Sequence, residues 1–228
     1  MSERQRLLDE NARRRSLVDE RYAPWNRAER LMVDGRRRLA AELLHREGVF
    51  PGPTTPCLEV GFGDGGWLVD LLGFRVQEKS LYGVEIDLHR AAVARRRLPA
   101  ANLALTAGAD LPFKDTCFGL VLASTVFTSI LDDGLQERLA SEIERVVRPG
   151  GALLWYDFAV NNPRNKNVRG VPRRRLRELF PGLSGPVRSV TLAPPLLRRV
   201  APLSVGLAEL LGEIPGLRTH LLAVLRRP

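Results

Sequence analysis

The stretch Cys57-Leu58-Glu59-Val60-Gly61-Phe62-Gly63-Asp64-Gly65-Gly66 decides how the rest of the chain is read. CLEVGF (57–62) is a short apolar run that suits a buried strand, and a helix is expected from Asp64. Glycines at 61, 63, 65 and 66 fill the junction. They let the backbone turn tightly and come close to a ligand, and the first N–H groups of the helix point at whatever binds there. Glu59 stands two positions before the first glycine.

Working outward, strand and helix patterns alternate. SLYGVEID (80–87) reads as a second strand and LHRAAVARRRL (88–98) as the helix after it. Glu85 and Asp87 end that strand, where a carboxylate can accept two hydrogen bonds from a ribose diol. ANLALTAG (101–108) and FGLVLASTVF (118–127) are a third and a fourth strand. Residues 133–147 form a helix with Asp133 as its expected N-cap, stopped by Arg-Pro-Gly-Gly. GALLWYDF (151–158) is a fifth strand. Near-continuous apolar strands alternating with helices imply an α/β fold, with a mostly parallel sheet covered on both faces. Beyond Asn161 come a short Arg-rich helix (171–179), an alternating strand (187–193), a Pro-punctuated helical stretch to Leu211 and a last strand (219–227). That makes seven strands, the last one antiparallel.

Toward the N-terminus, residues 1–50 read as a helical arm that Pro24 divides into a short and a long piece, and residues 48–56 end it. The whole is read as one domain of residues 1–228. It comprises this arm or lid, a core at 57–160, and an elaboration at 161–228 that carries the last two strands.

The 228 residues carry a formal charge of +9, unevenly spread. The middle, 51–160, sums to −4, whereas 161–228 sums to +10. A basic final third suits nucleic acid, an anionic surface or an acidic small molecule. No run reaches the ~18 apolar residues of a membrane span, and the polar start has no apolar leader core, so the cytoplasm is the expected location. Cys57 and Cys117 lie in apolar strand-like runs and read as reduced core thiols. Two cysteines exclude a disulfide framework and a cysteine metal site, and no metal is expected.

Taken in order, LEVGFGDGG, LYGVEID, DLPF with CFGLVLAS, and RVVRPGGALLW resemble the class I S-adenosylmethionine-dependent methyltransferases of the small-molecule type. The resemblance implies a Rossmann-like fold and S-adenosyl-L-methionine as cofactor. It implies that Glu59 orders the glycine loop, that Gly61, Gly63 and Gly65 underlie the methionine part, and that Glu85, with Asp87 as a lesser candidate, holds the ribose. It further implies that Gly108, Asp110 and Leu111 flank adenine and that Ser124 lies beside the sulfonium. The sequence departs from the pattern at Ala107, where an acidic residue is common, and at Gly119, where Asp is common. A dinucleotide oxidoreductase also has a glycine loop, and GFGDGG satisfies GxGxxG, but DLPF and RPGG resemble methyltransferase landmarks.

Asp157 and Tyr156 end the fifth strand and are the first candidates for catalysis; His220 opens the last strand. The loop after Asp157 holds Asn161, Asn162, Arg164 and Arg169, whose amides and guanidinium forks suit a polar or anionic acceptor. Tyr22 and Trp25 in the arm are candidates to cover the site. These residues imply methyl transfer to a polar small molecule, first a hydroxyl of a sugar or other metabolite. RNA methylation through the basic third and a non-catalytic cofactor-binding scaffold are the alternatives. Against RNA, only Phe158 and Phe180 interleave aromatics with the basic run of 157–180. The oligomeric state is open.

Overall fold

Five parallel strands carry the fold: β1 (Cys57–Val60), β2 (Leu81–Glu85), β3 (Asn102–Leu105), β4 (Phe118–Ser124) and β5 (Val147–Phe158). They belong to a computed structural model that describes residues 2–16, 20–23, 25–106, 109–162 and 165–228. With β6 (Val187–Leu192) and β7 (Arg218–Arg226) they form one sheet in the order β3-β2-β1-β4-β5-β7-β6. β7 runs antiparallel to both β5 and β6. The sheet is therefore seven-stranded and mostly parallel, as the alternating pattern requires.

Helices cover both faces because the strand side chains alternate between them. Leu153 and Trp155 of β5 join one core, with Leu139 and Ile143 of α5 (Asp133–Val146) and Leu176 and Phe180 at α6 (Arg173–Leu179). Leu154 and Tyr156 join the opposite core. There they meet Leu43 and Leu44 of α2 (Arg27–Arg46), Trp67 and Leu71 of α3 (Gly66–Gly73), and Ala94 of α4 (Leu88–Arg97). A third cluster forms where α7 (Pro194–Val200) and α8 (Val205–Gly212), both between β6 and β7, pack on the start of α2. α1 (Glu3–Ser16) contributes to none of the three.

Local chemistry moves several boundaries. α3 starts at Gly66 and not at Asp64, because Gly61, Gly63 and Gly65 take φ of 68°, 54° and 80°, outside any right-handed helix. The N-cap of α5 is Asp132, whose carboxylate accepts from the Leu135 N–H at 2.7 Å, and Asp133 is the first helical residue. β5 begins at Val147, so Arg-Pro-Gly-Gly lies within it. The register shifts there, and Gly150 has a φ of 73°. The stretch up to Leu211 is two helices, because the chain turns at Pro202 and Ser204 caps α8 through the Leu207 N–H. Cys57 is buried, but Cys117 sits half-buried in the turn before β4 and is not a core residue. Pro24 lies outside the described residues, although α1 and α2 flank it as a short and a long helix. No helix among the described residues is long and apolar enough to cross a membrane.

Candidate functional site

The chain leaves β1 to form β2 and β3 on one side, then returns to form β4 on the other. Such a switch point opens a crevice at the carboxyl ends of the strands. A cavity of about 360 Å³ lies there, within the ~300–1,000 Å³ usual for small-molecule sites.

Gly61, Glu85, Leu111 and Ser124, all expected from the sequence, line it. At Gly61 a Cβ would come 2.7 Å from Cγ2 of Val126, which is closer than side chains approach, and its N–H donates to the Val84 carbonyl at 2.8 Å. Gly63 donates its N–H to Oε2 of Glu85 at 2.8 Å, while Oε1 accepts from the N–H groups of Ile86 and Asp87 at 2.8 and 3.1 Å. Glu85 therefore ties the glycine loop to the end of β2. Arg90, at 37% exposure, reaches over this junction and also lines the cavity.

Other expected residues stand behind the lining. Gly65 precedes α3 in a left-handed conformation. Asp87 caps α4 by accepting from the His89 N–H at 2.9 Å, and it pairs with Arg15 of α1. Glu59 is buried, and burial pushes its carboxyl well above the usual range, against the Arg36 charge and the Leu68 N–H. Its Oε2 has no hydrogen-bond partner among the described residues. Asp110 is exposed, and Gly108 lies outside the described residues.

The cover of the cavity is α1, which supplies Glu3, Arg4, Leu7 and Asn11 to the lining. Tyr22 and Trp25 do not line it and stand exposed. α1 is held at several points along its length. Oε1 of Glu3 accepts from the Leu131 N–H at 2.7 Å, Arg6 donates to the carbonyls of Ser129 and Asn167, and Oε2 of Glu10 accepts from Nδ2 of Asn167 at 2.8 Å. Arg15 adds the pair with Asp87. The sequence held one faint signal for this role: the adjacent Leu7 and Leu8 in an otherwise polar helix.

The Asn-rich loop after β5 supports that cover. Oδ1 of Asn161 accepts from the Gly170 N–H at 2.8 Å, Oδ1 of Asn165 accepts from the Asn167 N–H at 3.0 Å, and Arg169 pairs with Asp133. These are turn-forming contacts that present Asn167 to α1. Asn161 and Asn162 are exposed and outside the lining, and Arg164 lies outside the described residues.

Asp157 and Tyr156, expected to face the reacting atoms, do not line the cavity. Oδ1 of Asp157 accepts from Oγ1 of Thr128 at 2.5 Å and from the Phe158 N–H at 2.9 Å, and Oδ2 accepts from the Thr128 N–H at 3.2 Å. It anchors the 3-10 turn Phe127–Ser129, next to Thr125 and Val126, which do line the cavity. Thr125 holds a φ of 55°, a costly conformation for a β-branched residue. Tyr156 points to the α2 face, its hydroxyl 2.9 Å from Oγ1 of Thr191, and burial raises it to about 12. His220 is buried against the rings of Tyr156 and Phe158.

Burial raises Asp157 to about 6 and lowers His220 to about 3. Between pH ~3 and 6.5 the unfolded chain binds the histidine proton that the folded chain refuses, so His220 adds stability as pH rises through that window. Asp157 acts oppositely: the folded chain keeps its proton to about pH 6, so its contribution falls as pH rises from about 4 to 6. Each unit of displacement is worth about 1.4 kcal/mol. Thermal melts should therefore show wild type gaining on His220→Phe from pH 3 to 6.5 and losing ground to Asp157→Asn from pH 4 to 6. Parallel curves for a variant and wild type would refute the corresponding assignment.

Residues 58–155 match the family described as a methyltransferase domain. These residues are similar to the class I S-adenosylmethionine-dependent methyltransferases. The chain is 30% identical over 121 residues to sterol 4-C-methyltransferase of Caenorhabditis elegans, an alignment spanning 49% of this chain and 33% of that relative. It is 31% identical over 131 residues to phthiotriol/phenolphthiotriol dimycocerosates methyltransferase 1 of Mycobacterium ulcerans, spanning 53% and 45%. The chain thus aligns with less than half the length of these curated relatives. In fold it is similar to geranyl diphosphate C-methyltransferase of Streptomyces coelicolor, with a TM-score of 0.65, 19% identity, and coverage of 93% of this chain and 86% of that one. The residues present fit S-adenosylmethionine: a side-chain-free surface at Gly61, a carboxylate at Glu85, and a buried Glu59 whose Oε2 has no hydrogen-bond partner among the described residues.

Proposed function

We propose that this chain moves a methyl group from S-adenosylmethionine to a polar small molecule seated between α1 and the end of β4, with a hydroxyl as the first choice of acceptor atom. The observation that carries this reading is the composition of the cavity. Gly61 and Glu85 line it at the ends of β1 and β2, and Ser124, Thr125, Ser129 and Asp132 line it together with Arg4 and Asn11 of α1. S-adenosylmethionine supplies an already activated methyl on its sulfonium, so the chain's task is to bind, orient and exclude water. Gly61, Glu85 and Leu111 would hold the cofactor, with Glu59 supporting the loop from below.

For a hydroxyl acceptor a nearby base is useful. Asp132 is the carboxylate we assign to it, because it lines the cavity at the head of α5, whereas Asp157 is enclosed by Thr128 and Phe158. The cover by α1 favours a small acceptor over a nucleic-acid strand.

The test is transfer of labelled methyl from S-adenosylmethionine to panels of sugars, hydroxylated metabolites and amines. The reading expects turnover on a hydroxylated compound, with Asp132→Asn lowering kcat on the alkaline plateau by about 10²–10⁴-fold. Turnover on amines alone, or an unchanged Asp132→Asn profile, would remove the hydroxyl assignment. Cofactor binding with no turnover on any panel would favour a scaffold.

A further inference from the structure

A second cavity, of about 460 Å³, opens between α2, β6 and α8, and it shares no lining residue with the first. Its wall changes character along its length. Leu31 and Met32 on α2 and Leu192 on β6 stand with Leu197 in the third cluster. Further along α2 come Arg36 and Arg38, and back along β6 comes Arg188. There Leu39 and Val190 pack on the core that holds Tyr156, so both elements pass from an apolar end to a basic end together. Gly35 leaves a gap in the wall: a Cβ there would meet nothing within 4 Å. Thr191 lines the same wall with a φ of 61°, its hydroxyl 2.9 Å from that of Tyr156. Strain of that kind in a β-branched residue gathers at ligand sites.

Arg36 selects the occupant. Its half-buried guanidinium lies over the Trp67 ring, 4.9 Å from the centroid, and 5.6 Å from that of Tyr156. The ring faces attract its charge, yet none of its N–H donors has an oxygen partner among the described residues. Glu29 and Glu59 act on it only through their fields: neither comes within ion-pair distance, and burial raises both carboxyls toward the neutral form. Of the other charged groups in the wall, Arg218 is paired with Glu213 and donates to the carbonyls of Gly212 and Ser189. Arg36, Arg38 and Arg188 are left without ion pairs among the described residues, against Glu209 alone. A free guanidinium fork fits carboxylate or phosphate oxygens, and the aliphatic end gains from burying hydrocarbon. We propose that this cavity binds an amphiphilic small-molecule anion, its carboxylate or phosphate on the N–H groups of Arg36 and its apolar body along Leu31, Met32, Leu192 and Leu197. The site is separate from the first cavity and stands independently of which acceptor is methylated.

The full chain is titrated by calorimetry with octanoate, octyl phosphate, 1-octanol and acetate. The expected result is that octanoate or octyl phosphate binds about tenfold or more tighter than 1-octanol, which lacks the charge, and acetate, which lacks the chain. The tighter of the two anions identifies the head group. Saturating S-adenosylmethionine should leave this binding in place. Gly35→Leu puts a side chain into the open space at the wall and should weaken binding about tenfold or more, while its affinity for S-adenosylmethionine stays unchanged. Arg36→Gln should weaken both anions by a similar factor and leave 1-octanol unaffected, and Arg36→Lys, which keeps the charge and loses the fork, should fall between. If Arg36→Gln does not fold, Gly35→Leu decides. No binding of either anion by wild type, 1-octanol binding as tightly as the anions, or displacement of the anion by S-adenosylmethionine would overturn the proposal. So would unchanged anion binding in Gly35→Leu.

Discussion

Glu85→Ala lowers affinity for S-adenosylmethionine by about a hundredfold or more, measured by calorimetry, and lowers the melting temperature as well. The carboxylate is 4% exposed and accepts three backbone N–H groups, from Gly63, Ile86 and Asp87. Removing it leaves these donors without their partner, at about 1–3 kcal/mol for each buried group left unpaired, and the glycine loop loses its tie to β2. A ribose diol would lose its acceptor in the same step. Glu85→Gln keeps the volume and one acceptor oxygen, so it should fall between. Gly61→Ala tests the same site sterically: a φ of 68° strains alanine, and its methyl would press on Val126 at 2.7 Å. If Glu85→Ala and Gly61→Ala both bind S-adenosylmethionine as wild type does, the cavity is not the cofactor site.

Deleting residues 1–16 lowers kcat/KM for methyl transfer by about a hundredfold, yet shifts the melting temperature by only a few degrees. The two effects separate because α1 lines the cavity through Glu3, Arg4, Leu7 and Asn11 but places no residue in a core cluster. A polar helix of 14 residues is marginal by itself. Its order rests on its contacts with Leu131, Ser129, Asn167 and Asp87. With it gone, water reaches the site and the acceptor loses a wall. Arg15→Ala, which frees one end, should give a smaller loss of the same kind. Unimpaired turnover after deletion would show that α1 is not the lid.

The cofactor half was legible for a local reason. A strand, a turn of glycines and a helix are specified by residues within about ten positions of one another. The backbone of Gly61 and the carboxylate of Glu85 meet because β1 and β2 are adjacent parallel strands, which the alternating pattern already implied. Boundaries shifted only where a single residue overruled the pattern, as at Gly65 before α3 and Asp132 before α5.

The acceptor side was not legible in this way. Asp157 ends β5, as a candidate base should, but nothing in its neighbourhood announces that Thr128, 29 positions earlier, closes over it. Tyr22 and Trp25 have the residue types of a lid, yet the helix that lines the cavity is α1, joined to positions 128 and 161 residues away. The amino-acid sequence by itself determined the parallel sheet, its order of elements and the cofactor loop, because hydrophobic period and turn chemistry are short-range. Tertiary structure alone decided which helix covers the cavity and which carboxylates line it. Those outcomes depend on long-range contacts, in which polar side chains exchange water for partners far along the chain.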